Sequence, residues 1–213
     1  MINPALTLSN FSKHYGHHAV IAISKIFLPA GLYWIKGENG SGKTTLFKSL
    51  AGLLPCTGSI QFGDGIGLHS HPIEYRKRVN YSEAEPLYPG FLTAKDLLRF
   101  TGKARGASLQ EQDDLVSAFG MGSYVENPCE TYSSGMQKKL SLALAFLGNP
   151  RLVILDEPLI TLDVQARNTL LERIEALLRQ KVIVLISSHQ LLEDNRLRVD
   201  AAYSIQDKKL VPA

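Results

Sequence analysis

Hydrophobic positions along the chain change period several times, and the changes outline its elements. From Ala5 to Gly31 short apolar runs alternate with polar residues and turn formers, the pattern of antiparallel strands and a loop at a sheet edge. Leu32–Lys36 reads as a short strand. A run of glycines and polar residues follows, and from Thr45 to Leu54 apolar positions recur at helical spacing, with Gly52 and Pro55 near the end. Residues 56–91 keep no sustained period and read as two or three short strands and an exposed connector ending near Pro89-Gly90. From Thr93 to about Phe119 the pattern turns helical, with Leu97, Leu98 and Phe100 in one group and Leu115, Val116 and Phe119 in another.

A stronger helix is predicted from Gln137 to about Leu147, ended by Pro150, with Ser133 or Ser134 available to cap its first turn. Leu152–Leu155 and Val182–Ile186 are wholly apolar, as buried parallel strands are, and Val164–Gln180 between them is an amphipathic helix. Ala202–Ile205 and Leu210-Val211 flank Asp207-Lys208-Lys209 as a closing hairpin. An α/β fold with a parallel core follows.

Composition narrows this picture. A length of 213 residues is about 1.4 typical domains, so one domain over 1–213 is expected, with a helical insertion at about 92–148. With 45% hydrophobic and 20% charged residues the chain is an ordinary globular protein, which excludes disorder, collagen-like repeats and coiled coil. A net charge of +3 is too small for binding nucleic acid through bulk charge, and no nucleic-acid partner is expected. The longest apolar stretches, such as Leu140–Gly148, fall far short of the roughly 20 residues that cross a bilayer. Met1–Leu8 lacks the basic and apolar regions of a secretory signal, so a cytosolic location is expected. Cys56 and Cys129 suit that compartment as free thiols; one disulfide, or a metal shared with histidines, is the alternative, though no CxxC pair exists.

The candidate chemistry sits where strands end. GENGSGKT at 37–44 fits GxxxxGK[ST] and has a predicted strand before it and a helix after it. Glycines there let backbone N–H groups turn toward phosphate oxygens, the helix start adds unpaired donors, Lys43 adds a mobile charge, and Thr44 can offer its hydroxyl to Mg²⁺. Asp156 and Glu157 close the apolar run Leu152–Leu155, at the strand end where open parallel sheets hold ligands. Asp156 suits a Mg²⁺ site, directly or through water, and Glu157 the orientation or deprotonation of an attacking water. Alone, such a pair would more simply begin a loop and cap a helix. His189, after the second apolar run and Ser187-Ser188, belongs at the same sheet edge, whereas His14, His17, His18, His69 and His71 lie in loops without metal-spaced partners and read as solvated.

With GENGSGKT, YSSGM at 132–136, LVILDEP and SSH in that order, the chain resembles the nucleotide-binding subunit of ABC transporters over nearly its whole length. The form YSSGMQKK looks most like the ATPase subunits of bacterial exporters. The resemblance implies a P-loop NTPase core with a mostly parallel sheet, an N-terminal antiparallel β subdomain and an inserted α-helical subdomain. It makes Gly37, Glu38, Asn39, Gly40, Ser41, Gly42, Lys43 and Thr44, with Thr45 beside them, the Walker A loop that binds ATP. Asp156 becomes the Walker B aspartate, sharing Mg²⁺ with Thr44, and Glu157 the catalytic carboxylate, with Lys43 and His189, the switch histidine, beside it. Ile160–Asp163 becomes the D-loop, and Tyr15 the aromatic that stacks on adenine, an interaction of about 1–3 kcal/mol.

The resemblance also implies partners. Ser133, Ser134 and Gly135, at the start of the signature helix, would face the γ-phosphate held by a second ATPase subunit, a second copy or a related chain. A transmembrane permease subunit would hold the pair at the inner face of the cell membrane, docking on the helical insertion and the segment around Tyr81–Phe91, where Tyr81, Tyr88 and Phe91 are either interface anchors or loop packing. A non-transport ATPase acting on a soluble partner, and a nucleotide-binding module with impaired hydrolysis, are the alternatives. The chain departs from the family pattern twice. Ser134 replaces a usual glycine, placing a side chain in a tight phosphate-facing turn. Ala84, between Glu83 and Glu85, stands where the Q-loop glutamine belongs; either a neighbouring glutamate or a water substitutes, or coupling to the partner is altered.

Overall fold

The alternating start of the chain folds into a hairpin, β1 (Ala5–Tyr15) against β2 (His18–Pro29), paired antiparallel from Ala5↔Pro29 to Tyr15↔His18. The structure, a computed structural model, describes residues 5–188 and 196–213. A third antiparallel strand, β4 (Thr57–Phe62), lies on the other side of β1. This small sheet, in the order β2-β1-β4, turns Leu6, Leu8, Phe11, Ile21 and Ile60 inward, as the period-two pattern requires.

The second sheet runs β5 (Val79–Ser82), β6 (Leu152–Asp156), β7 (Ile183–Ser187), β3 (Gly31–Lys36), β8 (Ala201–Gln206), β9 (Lys209–Pro212). Neighbours are parallel up to β8, and β9 closes it as an antiparallel hairpin over Asp207 and Lys208, both at positive φ. Every residue of β6 and β7 is buried, which explains why these segments are apolar without alternation. Their side chains still part by face. Val153, Leu155, Val184 and Ile186 join one apolar cluster, while Leu152, Ile154, Ile183 and Leu185 join the other.

The two faces are covered differently. On one lie α5 (Ser134–Ala145) and α6 (Val164–Arg179), with α3 (Ala94–Arg105) and α4 (Leu109–Ala118) packed beyond them through Leu98, Leu115 and Phe119. On the other, α1 (Lys43–Leu50) is wedged between the two sheets by Leu46, Phe47 and Leu50. Burying each such side chain contributes about 1.5–3 kcal/mol. Side-chain caps fix the starts of α3, α4, α5 and α6: Thr93, Ser108, Ser133 and Asp163 each accept a backbone N–H three residues on.

The α/β architecture and the order of elements agree with the sequence, and the differences have local causes. The first helix ends at Leu50, four residues early, because Gly52 takes φ +72°. A short helix, α2 (Pro72–Lys77), occupies the stretch read as strands and connector; six residues are too few to show a period. The signature helix begins at Ser134 instead of Gln137, since Ser133 is its cap, and it ends at Ala145, ahead of Gly148 at φ +74° and well before Pro150. Phe100, grouped with Leu97 and Leu98, is exposed. Cys56 and Cys129 are free thiols.

The Asp163 cap is also a pH-dependent one. Its carboxyl is held below the usual carboxylate range, first by the Ala166 N–H and then by Lys139, whose ammonium lies 2.6 Å away. A depressed folded-state pKa means that this stabilisation is present above the unfolded value near 3.9 and is lost as pH falls through the folded one. Asp163→Ala should therefore lower unfolding free energy by about 1 kcal/mol at pH 7. In urea titrations the deficit should shrink below about pH 4.

Candidate functional site

The phosphate loop departs from the other long helices in how its helix starts. Gly42, at φ +107°, precedes α1 with no side-chain cap, whereas α3 to α6 are all capped. The first-turn N–H groups of α1 are thus left for a ligand, with the positive end of the helix dipole behind them. Gly37, at φ +150°, packs so closely on Ser41 that a Cβ would lie 2.5 Å from its Oγ. That Oγ is buried and, among the described residues, has no hydrogen-bond partner. Lys43 is buried; its Nζ donates to the carbonyls of Gly37 at 2.6 Å and Glu38 at 3.0 Å, holding the charge inside the loop.

Across the cleft stands Asp156, 1% exposed at the end of β6. Its Oδ2 accepts from Thr44 Oγ1 at 2.7 Å and from Tyr81 OH at 3.3 Å, and its Oδ1 from Ser187 Oγ at 2.6 Å. Ser187 Oγ in turn accepts the N–H of Glu157 at 3.0 Å. Glu157 is 8% exposed and takes φ +45°, a left-handed conformation that is strained for a residue with a Cβ. The Thr44–Asp156 pair supplies oxygen donors only, the set that Mg²⁺ prefers, and one carboxylate beside a phosphate loop is its usual protein share. Among the described residues no group of three or more His, Cys, Asp or Glu could hold a metal by itself.

Phosphate loop, Asp156 and Glu157 together line one cleft of about 610 Å³, with Val20, Ala84, Glu85 and Ile160 on its other walls. Tyr15 stands outside that lining, half exposed at the end of β1, with the Lys13 ammonium 4.7 Å from its ring centre. Ser133 and Ser134 are exposed at the start of α5 and do not line the cleft either. The expected tight turn is absent there: Ser134 is the first helical residue, and Gly135 lies within α5. Its smallness serves contact with the next loop, for an added Cβ would lie 3.0 Å from the Thr161 carbonyl. His189 lies outside the described residues. His14, His17, His18, His69 and His71 are exposed, as expected.

Three residues of the site escaped the sequence reading. Ser187 pairs directly with Asp156 in the β6–β7 register, so aligning the two apolar runs end to end would have found it. Tyr81, read as either an interface anchor or loop packing, is partly buried with its hydroxyl on Asp156, and burial raises its pKa far above the ordinary phenol value. Lys138 is 1% exposed; its Nζ donates to the carbonyls of Glu83, Ala84 and Asp156. Burial pushes this ammonium down to about 8, against the pull of Asp156, Glu157, Glu83 and Glu85. The Q-loop region also resolves: the Glu83 carboxylate pairs with Lys48 on α1 at 3.1 Å, while Ala84 and Glu85 face the cleft.

The ABC transporter family model matches residues 24–160. The chain is 33% identical over 194 residues to the lantibiotic transport ATP-binding protein SrtF of Streptococcus pyogenes, a match covering 90% of this chain and 83% of that one. It is 34% identical over 195 residues to the Nod factor export ATP-binding protein I of Burkholderia lata, covering 88% and 64%. A solved ATP-binding subunit of an ABC transporter superposes with a TM-score of 0.84 at 27% identity, over 96% of this chain and 87% of that one.

The shared hydroxyl of Ser187 offers a direct check on this geometry. Ser187→Ala would leave Asp156 Oδ1 and the Glu157 N–H without their buried partner. The expected loss is about 1–3 kcal/mol in urea unfolding, and a loss below a few tenths would mean that water satisfies both.

Proposed function

The chain belongs to the ABC transporter family as an ATP-binding subunit that hydrolyses ATP to power transport, and from that membership we propose that two such chains close head to tail around two nucleotides. The observation that carries this reading is an incomplete cleft. The phosphate loop, Asp156 and Glu157 line the cleft, while the Ser133-capped start of α5 is exposed and lies outside that lining. A second chain turned end to end brings the one to the other.

The geometry supports the following roles. Lys43 and the uncapped start of α1 bind the phosphates. Thr44 and Asp156 would hold Mg²⁺, which would neutralise charge on the transferring phosphoryl group. Glu157, oriented through its backbone by Ser187, positions the attacking water and takes its proton. Ser133, Ser134 and Gly135 close on the partner's γ-phosphate, so ATP favours the closed pair and hydrolysis releases it. Tyr15, exposed at the hairpin end, offers its ring to adenine. Glu85 stands in for the missing glutamine, because Glu83 is engaged by Lys48.

No helix of the described residues is long and apolar enough to cross a membrane, so the membrane-spanning work falls to a permease partner. Its docking surface is the groove of about 210 Å³ lined by Tyr81, Glu83, Leu87, Tyr88, Thr101 and Arg105. Leu87 in that lining and Phe91 further along the same segment, 87% and 81% exposed, are the anchors, whereas Tyr81 and Tyr88 are half-buried supports. The pair sits on the inner face of the membrane through that partner. Export is the direction favoured by the YSSGMQKK form and by the transport and export named for the relatives.

Glu157→Gln should keep MgATP binding, lower turnover on the order of 10²-fold or more, and trap a dimer visible by sedimentation. Ser133→Arg in that background should abolish the dimer without loss of nucleotide binding. A chain that stays monomeric with MgATP in the Glu157→Gln form, and whose wild-type turnover per molecule is independent of protein concentration, would remove the two-chain reading. Ala84→Gln tests the Q-loop separately: unchanged hydrolysis and unchanged transport would take this position out of the coupling path.

A further inference from the structure

Lys138 is the most deeply buried cation near the cleft, and all three of its ammonium donors are engaged. One goes to the carbonyl of Asp156 at 2.9 Å, at the end of β6. The other two go to Glu83 at 2.7 Å and Ala84 at 3.1 Å, in the segment that leaves β5. All three acceptors are backbone oxygens, so the lysine fixes where two main-chain segments lie relative to α5, whatever side chains they carry. A shorter, neutral amide such as glutamine has two donors for the three carbonyls that Lys138 holds, so at least one of these bonds is lost, in a dry site with four carboxylates around it.

The neighbours of these contacts form a circuit. Lys138 is five residues beyond Ser133 on α5, about 7.5 Å along the helix. The next residue, Lys139, pairs with Asp163 at the end of the loop that follows Glu157. Glu83 turns its carboxylate back to Lys48 on the helix of the phosphate loop. Beyond Ala84 the chain runs through Glu85, which lines the cleft, to Leu87, which lines the groove. One turn of α5 therefore grips the catalytic strand end, the following loop and the cleft-to-groove segment at once.

The geometry points to Lys138 as the positioning residue through which closure on the α5 N-terminus reaches the Glu83–Leu87 segment, an inference that rests on the two-chain reading above. It touches no reacting atom in this arrangement. Its work is mechanical: when a partner's nucleotide draws the start of α5, the ammonium carries the main chain of residues 83 and 84 with the helix.

The test uses the full chain in the Glu157→Gln background, with MgATP as the probe and hydrogen exchange as the readout. In this parent, MgATP should slow exchange at residues 37–45, at 133–137 and at 82–88. With Lys138→Gln added, slowing should persist at the first two segments and be lost at the third, a change of about tenfold in local exchange. In the otherwise wild-type chain the same substitution should lower kcat about tenfold with KM changed less than about threefold, a split that general loosening of the fold would not give. Persistent slowing at 82–88 in Lys138→Gln overturns the inference and leaves the two-chain reading standing. Absence of slowing at 133–137 in the parent is the failure of that reading instead, and the inference falls with it. Should Lys138→Gln not fold, the parent decides: slowing at 37–45 and 133–137 with none at 82–88 overturns the inference, and slowing at all three supports it.

Discussion

A buried carboxylate holds this molecule's working parts in one place. Asp156 accepts hydroxyl hydrogen bonds from Thr44, Tyr81 and Ser187, and its backbone carbonyl accepts from Lys138. Those donors come from α1, β5, β7 and α5, so four elements that are distant in sequence meet on one residue. A carboxyl group this deep needs its oxygens hydrogen-bonded, and three hydroxyls on two oxygens do so without a cation on the group itself. The arrangement also leaves the group able to exchange hydroxyl partners for a metal ion, since hydroxyls are weaker partners than charged donors.

That junction explains the layering around it. The parallel sheet delivers β6 and β7 side by side with their ends in register, Asp156 opposite Ser187, and their apolar character buries both faces so that nothing but the last residues is polar. The wedge of α1 between two sheets brings Thr44 to the same edge. Strain collects one residue further on, at Glu157, where the chain leaves the sheet in a left-handed turn held by the Ser187 hydroxyl.

Much of this was legible beforehand because it is written in local patterns. Gly37–Thr44 announces a phosphate loop by glycine spacing, the wholly apolar runs before Asp156 and Ser187 announce buried parallel strands, and Ser133 or Ser134 announces a helix start. What was missed depends on pairing across the sheet or on contacts between elements. Ser187 and Tyr81 acquire their roles from neighbours that sequence spacing cannot assign. Lys138 looks like one more solvated charge in a polar stretch of Gln137-Lys138-Lys139, and only the packing of α5 against β5 buries it. The end of α1 and the short α2 differed because a single glycine at positive φ and a six-residue helix leave no period to read.

The near-contact between Gly135 and the carbonyl of Thr161 carries a consequence for how such chains recognise one another. A Cβ at Gly135 would lie 3.0 Å from that carbonyl, so a larger residue there would push the first turn of α5 and the loop after Glu157 apart by a few tenths of an ångström. In the head-to-tail pair proposed above, these two segments would form one edge of the interface, with a main-chain contour set by their packing. In that pair, discrimination between a second copy and a related chain would rest on the side chains projecting along the edge, Ser133, Ser134, Ile160 and Thr161, and not on the backbone they share.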